Sequence, residues 1–176
     1  MPAYNAAQHL PWVLAPLASL GKDWEVIVVD DASQDGTLER LQHSFPWVKA
    51  IAAPSNGGQS RARNLGVRQA QGQFLFFVDS DVVTSAETLK AMAAFLEERP
   101  ELDGVFGCYS AWGYRDEPPL SRFRNLLHRY VHQRGRGPIQ SFWSGLGAMR
   151  KSSFEVCGGF DEGLQGIEDV DRKSVV

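Results

Sequence analysis

Two cysteines, Cys108 and Cys157, are all that 176 residues contain. They stand far apart and in no metal-ligand spacing, which excludes a disulfide-stapled scaffold and a zinc-finger-like module. Without a signal-peptide pattern, the thiols are expected to be reduced in a cytoplasmic domain. Long apolar runs are lacking too. The longest, such as Phe74 to Val78, fall well short of the roughly 20 residues a bilayer-spanning helix needs. Membrane contact is therefore expected to be peripheral, or to lie in sequence beyond this chain. There is no excess of positive charge either: 18 basic against 21 acidic residues give a net charge of −3. No global field recruits a polyanion, and nucleic acid is not an expected partner. Neither a Walker A loop nor a Gly-x-Gly-x-x-Gly fingerprint occurs, which argues against a nucleoside triphosphatase or a nicotinamide dehydrogenase.

What is present is an ordinary globular composition, 43% hydrophobic and 22% charged, in a chain of one-domain length. Leu10, Val13, Leu14, Leu17 and Leu20 recur at helical spacing, with Pro16 a kink. Glu25 to Val29 (EVIVV) is a short β-branched run that reads as a strand buried on both faces. A helix over Leu38–His43, a strand over Val48–Ala53 and a helix over Gln59–Ala70 follow. Then come a buried strand at Phe74–Val78 and a long helix capped by Ser85 or Thr84 and running to Arg99. Strands and helices alternating over short connections predict an α/β domain, a Rossmann-like, mostly parallel sheet with helices on both faces. Past a strand at Gly104–Cys108 the pattern loosens. Ile139–Trp143 and Gly147–Arg150 read as strands, and Ser152 opens a short helix.

Ligands of open α/β sheets bind beyond the carboxyl ends of the strands, and acidic residues stand at two such ends. Asp30 and Asp31 follow EVIVV; a carboxylate there can accept from a nucleobase imide or ribose hydroxyl, or it caps the next turn. Asp79-Ser80-Asp81 follows FLFFV. Two carboxylates separated by one residue point the same way in extended backbone and can face one Mg2+ or Mn2+ ion, although the same pattern is also a common solvated turn. Between them, Asn56-Gly57-Gly58 leads into a helix carrying Arg61 and Arg63. Its free N–H groups and arginines suit a diphosphate, or form a flexible cap. Glu168-Asp169 offers a carboxylate general base for an attacking hydroxyl, or an acidic helix start.

Together these residues resemble the family-2 glycosyltransferases, whose fold is called GT-A. The resemblance runs through Pro2-Ala3-Tyr4-Asn5, Val28 to Ser33, Asp35-Gly36-Thr37, Asn56-Gly57-Gly58 and Ala62-Arg63-Asn64-Leu65-Gly66. It continues in Phe77 to Asp81, Gly158-Gly159-Phe160-Asp161-Glu162 and Glu168-Asp169. The motifs are weak singly and specific in this order. The resemblance implies inverting transfer of a sugar from a nucleotide diphosphate, a UDP-sugar above all. It implies that Pro2 and Tyr4 line the base pocket, Asp31 accepts from the base imide and Asp30 supports the ribose. Arg63 is then near the diphosphate, Asp79 faces the ribose and metal, Ser80 belongs to the donor-binding set, and Asp81 is the principal Mn2+ or Mg2+ ligand. Asp169 is the implied catalytic base, with Glu168 the alternative. The family's first strand normally precedes Pro2 and its Glu-Asp helix continues further, so the domain, residues 1–170, is expected to be truncated at both ends. Residues 171–176 (DRKSVV) read as translated sequencing adapter.

Two other functions fit less well. A sugar nucleotidyltransferase needs a glycine-rich triphosphate loop, and a non-catalytic sugar-nucleotide module would be expected to lose Asp81 or Asp169. The segment 120–136 places Leu120, Phe123, Leu127, Tyr130 and Val131 at helical spacing beside Arg122, Arg124, Arg129 and Arg134. Such a helix either packs its apolar stripe on the sheet or lies on an anionic membrane beside a lipid-linked acceptor, at the cytoplasmic face.

Overall fold

The computed structural model describes residues 1–110, 118–134 and 142–163. Glu168, Asp169, residues 171–176, the end of the 120–136 segment and the first part of the expected 139–143 strand lie outside them.

The amino-terminal half follows the expected alternation. Strand β1 (Pro2–Ala3) leads to helix α1 (Leu10–Leu14), which Pro16 turns into a 3-10 segment over Ala15–Ser19 rather than a bend in one long helix. Strand β2 (Ile27–Asp30), helix α2 (Thr37–Ser44), strand β3 (Lys49–Ala52) and helix α3 (Gly58–Gln69) follow. The EVIVV strand thus begins two residues later than its apolar run and includes Asp30. Strands β1, β2 and β3 form one parallel sheet in that order, in the register Pro2 to Val29 and Ile27 to Lys49. Gly36, with φ of 83°, takes the left-handed conformation that opens α2.

The second half departs from a wholly parallel sheet. Strand β4 (Phe74–Val78), helix α4 (Ala86–Glu97), strand β5 (Gly104–Phe106), helix α5 (Pro119–Arg134), strand β6 (Leu146–Arg150) and helix α6 (Lys151–Val156) complete the described residues. Strand β6 inserts antiparallel between β4 and β5, giving a separate three-stranded sheet β4-β6-β5. Of the two candidate caps of α4, Ser85 serves: its hydroxyl accepts from the Thr88 amide at 3.2 Å. One core joins the halves through Leu10, Leu14, Val28, Leu41, Val78, Leu96 and Ala148. A second cluster, Leu75, Phe77, Met149, Phe154 and Phe160, packs on the α6 side.

Helix α5 reverses the packing that amphipathic periodicity suggests. Leu120, Phe123, Leu126, Leu127, Tyr130 and Val131 are all exposed, and no residue of the helix is buried. The half-buried positions are Ser121, Asn125, Arg129 and His132. Packing of the apolar stripe on the sheet is therefore not what occurs.

Candidate active site

The carboxyl ends of β2 and β4 both meet helix α3. Beyond β2, Asp31 is buried and its carboxylate accepts from the amides of Gly57, at 2.9 and 3.2 Å, and Gly58, at 2.8 Å. These glycine N–H groups are therefore not free for a diphosphate, which corrects the expectation from Asn56-Gly57-Gly58. The loop cradles a protein carboxylate because Asp31 arrives first, and a carboxylate binds backbone N–H groups as a phosphate does. Ala32, next in sequence, sits at φ of 60°, a conformation that costs a non-glycine residue on the order of 1 kcal/mol and is common at functional sites.

Beyond β4, the chain turns at once. Ser80 and Asp81 lie in a turn, not in the extended backbone expected for Asp79-Ser80-Asp81, and the Val82 amide donates to the Asp79 carbonyl at 3.1 Å. Asp81 is exposed and Asp79 half-buried. Arg63 of α3 reaches Asp79 with Nη2 at 2.7 Å and donates to Gln59 Oε1 at 2.8 Å. Its guanidinium carbon lies 5.3 Å from the Phe160 ring centroid, within cation–π range. Arg63 is itself buried, so it fixes Asp79 rather than presenting an open cation to solvent.

The residues before and after β2 close the other side. The Asn5 amide donates to Ser33 Oγ and the Gln34 amide to Asn5 Oδ1, both at 2.9 Å. The Ala6 amide donates to Thr37 Oγ1 at 2.9 Å and the Ala7 amide to Asp35 Oδ2 at 3.0 Å. Burial works against the Asp35 carboxylate, but the Thr37 hydroxyl and the amides of Ala7 and Thr37 hold its pKa below the usual value. Asp35-Gly36-Thr37 is thus a clasp for the Tyr4-to-Ala7 loop. Pro2 is buried in β1, whereas Tyr4 is 50% exposed beside this clasp, free to meet a ligand. Asp30 is buried with Oδ2 accepting from the Ser33 amide at 3.3 Å. Its Oδ1 is buried and has no hydrogen-bond partner among the described residues.

Two groups were given no role by reading the sequence, although Asn64 stands in one of its motifs. Asn64, one residue past Arg63, donates through Nδ2 to the Phe160 carbonyl at 2.8 Å and to Glu162 Oε1 at 2.9 Å, and accepts from the Phe160 amide at 2.8 Å. Gly159 allows this approach: at φ of +78° a Cβ there would stand 2.9 Å from Asn64 Oδ1. An aromatic wall is the second. Tyr109 lies tilted by 39° against Trp143 at 5.2 Å, and His132 lies 4.6 Å from Trp143 between centroids. Burial, then the charges of Asp81 and Asp79, push the Tyr109 hydroxyl pKa up, so this wall borders the carboxylate pair. Burial and His128 push the His132 imidazole down, against a hydrogen bond with Gly107.

The profile of the family described as "Glycosyl transferase family 2" matches residues 1–158. The chain belongs to that family. Among relatives of the family-2 domain, the poly(ribitol-phosphate) beta-N-acetylglucosaminyltransferase TarS of Staphylococcus aureus (strain Mu50) is 36% identical over 104 residues, 56% of this chain and 18% of that protein. The solved structure of S. aureus TarS 1–349 in complex with UDP superposes with a TM-score of 0.71 at 30% identity, covering 96% of this chain and 51% of that one. The mannosyltransferase PcManGT from Pyrobaculum calidifontis, in complex with GDP-Man and Mn2+, gives 0.72 at 25% identity, covering 96% and 48%. The undecaprenyl-phosphate 4-deoxy-4-formamido-L-arabinose transferase of Pseudomonas fluorescens (strain Pf0-1) is 27% identical over 150 residues, 80% of this chain and 42% of that protein. The chain thus spans from 18% to 51% of the length of these relatives. Its fold is GT-A, and in it the strand-end acids, the Asn-Gly-Gly loop and Arg63 form one cluster around the first turns of α3.

Proposed function

We propose that this chain carries the donor site of a glycosyltransferase that takes a sugar from a UDP-sugar and delivers it, with inversion, to an acceptor hydroxyl. One observation carries the reading. Two strand-end carboxylates are drawn to the same end of α3, Asp31 through the glycine-loop amides and Asp79 through Arg63. Of the acids and aromatics named for the donor, Tyr4 and Asp81 stay exposed. UDP and GDP-Man complexes of the solved neighbours support a nucleotide-sugar donor.

The residues fit a divalent cation of the Mg2+ or Mn2+ kind. Asp79 and Asp81 are separated by one turn residue, and a site of one or two carboxylates completed by substrate phosphates is what such ions accept. When bound, the cation supplies Lewis-acid stabilisation of charge on the departing diphosphate. Asp79 is held in place by Arg63, Ser80 sits between the carboxylates, and exposed Asp81 reaches the ligand side as the principal ligand. Asp31, already satisfied by Gly57 and Gly58, keeps further lone pairs for a base imide N–H, while Asn56 and Gly57 frame that pocket. In the transfer the acceptor oxygen bonds to the sugar C1 as the bond from C1 to the diphosphate oxygen breaks, and the acceptor proton passes to the Asp169 carboxylate, with Glu168 the alternative.

Helix α5 extends the reading to the acceptor. Its outward apolar row, with Arg122, Arg124 and Arg134 also exposed, suits an anionic lipid surface. It supports a lipid-linked or membrane-proximal acceptor, at the cytoplasmic face, and an undecaprenyl-phosphate transferase stands among the relatives. No helix of the described residues is long and apolar enough to cross a membrane.

The test is a titration of the chain with UDP, with and without Mn2+, by calorimetry. UDP is expected to bind more tightly with Mn2+, and Asp81→Ala to abolish the difference while keeping the fold. UDP binding that is indifferent to Mn2+ in the unaltered chain would remove the metal from the proposal, and absence of UDP binding altogether would remove the donor site.

A further inference from the structure

Strands β4 and β5 both run antiparallel to β6, so their carboxyl ends share one edge of that sheet, with the start of β6 between them. The Gly145 carbonyl accepts from the Asp79 amide at 3.1 Å, and the Leu146 carbonyl accepts from the Gly107 amide at 2.8 Å. Asp79 and Gly107, the first residues past β4 and β5, therefore stand two strand spacings apart, about 10 Å. Trp143 lies against the start of β6 between them. Gly145 makes room for it: a Cβ there would meet the Trp143 ring at 2.6 Å.

Tyr109, two residues past Gly107, is fixed from several directions. Its ring centroid lies 5.2 Å from that of Trp143, 5.5 Å from that of His128 and 6.2 Å from that of His132. Its carbonyl accepts from Arg129 Nη1 at 3.0 Å. Helix α5 thus backs the ring with His128, Arg129 and His132. The hydroxyl forms no hydrogen bond among the described residues, yet the charges of Asp81 and Asp79 act on it. Burial first, then those two charges, push its pKa up, so at neutral pH it is a hydrogen-bond donor. A phenol O–H near two carboxylates and bonded to neither leaves its donor capacity to a ligand that reaches both.

A nucleotide sugar is a linear molecule in which the sugar follows the diphosphate. The donor reading above, on which this inference rests, puts the base at the end of β2 and the diphosphate at Asp79 and Asp81. The cavity that Ile27 of β2 lines is bounded by the whole of β4 and by no residue of β5 or β6. Strand β4 is therefore the side of its sheet that faces β2, and β6 and β5 lie beyond it. A donor extended along this edge brings its sugar against Trp143 and Tyr109. We propose that these two residues select the transferred sugar, Trp143 offering a ring face to the C–H side of a pyranose and Tyr109 donating its hydroxyl proton to a sugar hydroxyl. The chemistry suits a neutral sugar. A sugar hydroxyl accepts from the phenol and donates to a carboxylate at once, whereas a phosphate oxygen only accepts and is repelled by Asp79 and Asp81 unless a cation stands between. Aromatic faces with a few fixed polar groups are also what gives small-molecule sites their selectivity.

The test is calorimetric titration of the chain, with Mn2+ present, by UDP and by UDP-GlcNAc, UDP-glucose and UDP-galactose. The unaltered chain is compared with Tyr109→Phe and Trp143→Leu. Phenylalanine keeps the ring contacts with Trp143 and the two histidines and removes only the hydroxyl, so the thermal midpoint is expected to be preserved. For the UDP-sugar that the unaltered chain binds most tightly, Tyr109→Phe is expected to raise the Kd about 5-fold, as the loss of one hydrogen bond does, and to leave the Kd of UDP itself unchanged. Trp143→Leu is expected to give the same split and to flatten the preference among the three sugars. It carries the test alone should Tyr109→Phe fail to fold. A merely structural role would move UDP and UDP-sugar together. Equal shifts for both, no shift for either, or an unaltered chain that binds the three UDP-sugars indistinguishably overturns the assignment and leaves the wall to the acceptor side. An unaltered chain that binds no UDP overturns the donor-site reading instead, before any substitution is made, and this inference falls with it.

Discussion

Arg63 is the side chain on which the geometry of the site most depends, and its contribution can be worked out. Arg63→Met keeps much of the volume and the contact with Phe160, but removes the 2.7 Å ion pair with Asp79 and the 2.8 Å bond to Gln59. Breaking a buried pair by removing one partner costs about 3–5 kcal/mol when the remaining charge is sealed from water. The Asp79 side chain retains 28% of its exposure, so it rehydrates in the variant, and a loss of about 2 kcal/mol is the expected value. For a domain of this size that lowers the thermal midpoint by about 4–8 °C. The assay is a double-mutant cycle by urea denaturation with Arg63→Met, Asp79→Ala and both. A favourable coupling of about 1 kcal/mol is expected between the two positions. Additive effects, with coupling inside about 0.3 kcal/mol of zero, would refute the claim that α3 holds the acid at the end of β4.

Asp31→Ala strands the Gly57 and Gly58 amides, so it is expected to destabilise the fold by about 1–3 kcal/mol and to weaken UDP binding in the same variant; native UDP affinity measured by calorimetry would show that the base pocket lies elsewhere. Asp169→Asn, made in a protein shown to transfer sugar, keeps shape but not proton acceptance, so turnover is expected to collapse with donor affinity nearly unchanged. If Glu168→Gln alone has that effect, the two roles are exchanged. The exposed row of α5 predicts co-sedimentation with anionic liposomes at low salt, about 1 kcal/mol coming from each basic residue near the surface. Equal, negligible recovery with anionic and neutral liposomes would leave α5 without a membrane.

Where the sequence was legible, a single physical cause controlled the pattern. VIVV and FLFFV carry apolar residues on both faces, as strands covered by helices on both sides do. Ser85 could be read as a cap of α4, since its hydroxyl replaces a missing helix partner locally. Asp79-Ser80-Asp81 was legible as a strand end but not as a turn, because an extended segment and a turn take the same residues there. The glycine loop failed differently. Gly57 and Gly58 were recognisable as anion binders, but whether the anion is a ligand phosphate or Asp31 depends on contacts 26 and 27 residues apart. The role of Asn64 was hidden for the same reason: the residue stands in a recognisable motif, but its partners lie 96 and 98 residues away. For α5 the period was readable and the direction was not. Which side of an amphipathic helix meets the domain depends on what the neighbouring elements offer, and here they offer Tyr109 and Trp143 to its histidines.

These contacts make α3 the element around which the site is assembled. Its amino-terminal loop holds Asp31, its second turn holds Asp79 through Arg63, and Asn64 holds Phe160 and Glu162. The Phe160 ring in turn lies over Arg63 and against Phe77 at 5.1 Å between centroids, so the Gly158-to-Glu162 loop is locked to the donor end from two sides. That lock bears on the proposed catalytic pair, Glu168 and Asp169. Asp169 follows Glu162 by seven residues, and seven residues reach at most about 25 Å even when fully extended. A base carried on that length of chain is tethered to the helix that positions the donor acids. The Ala62-Arg63-Asn64 sequence therefore serves two purposes at adjacent positions: Arg63 fixes the carboxylate at the end of β4, and Asn64 fixes the starting point of the segment that leads to Glu168 and Asp169. Exchanging Asn64 for an apolar residue is expected to leave the Arg63–Asp79 contact intact and to release the Phe160-to-Glu162 segment, which, on the proposed function, makes it the position where donor binding and acceptor chemistry come apart.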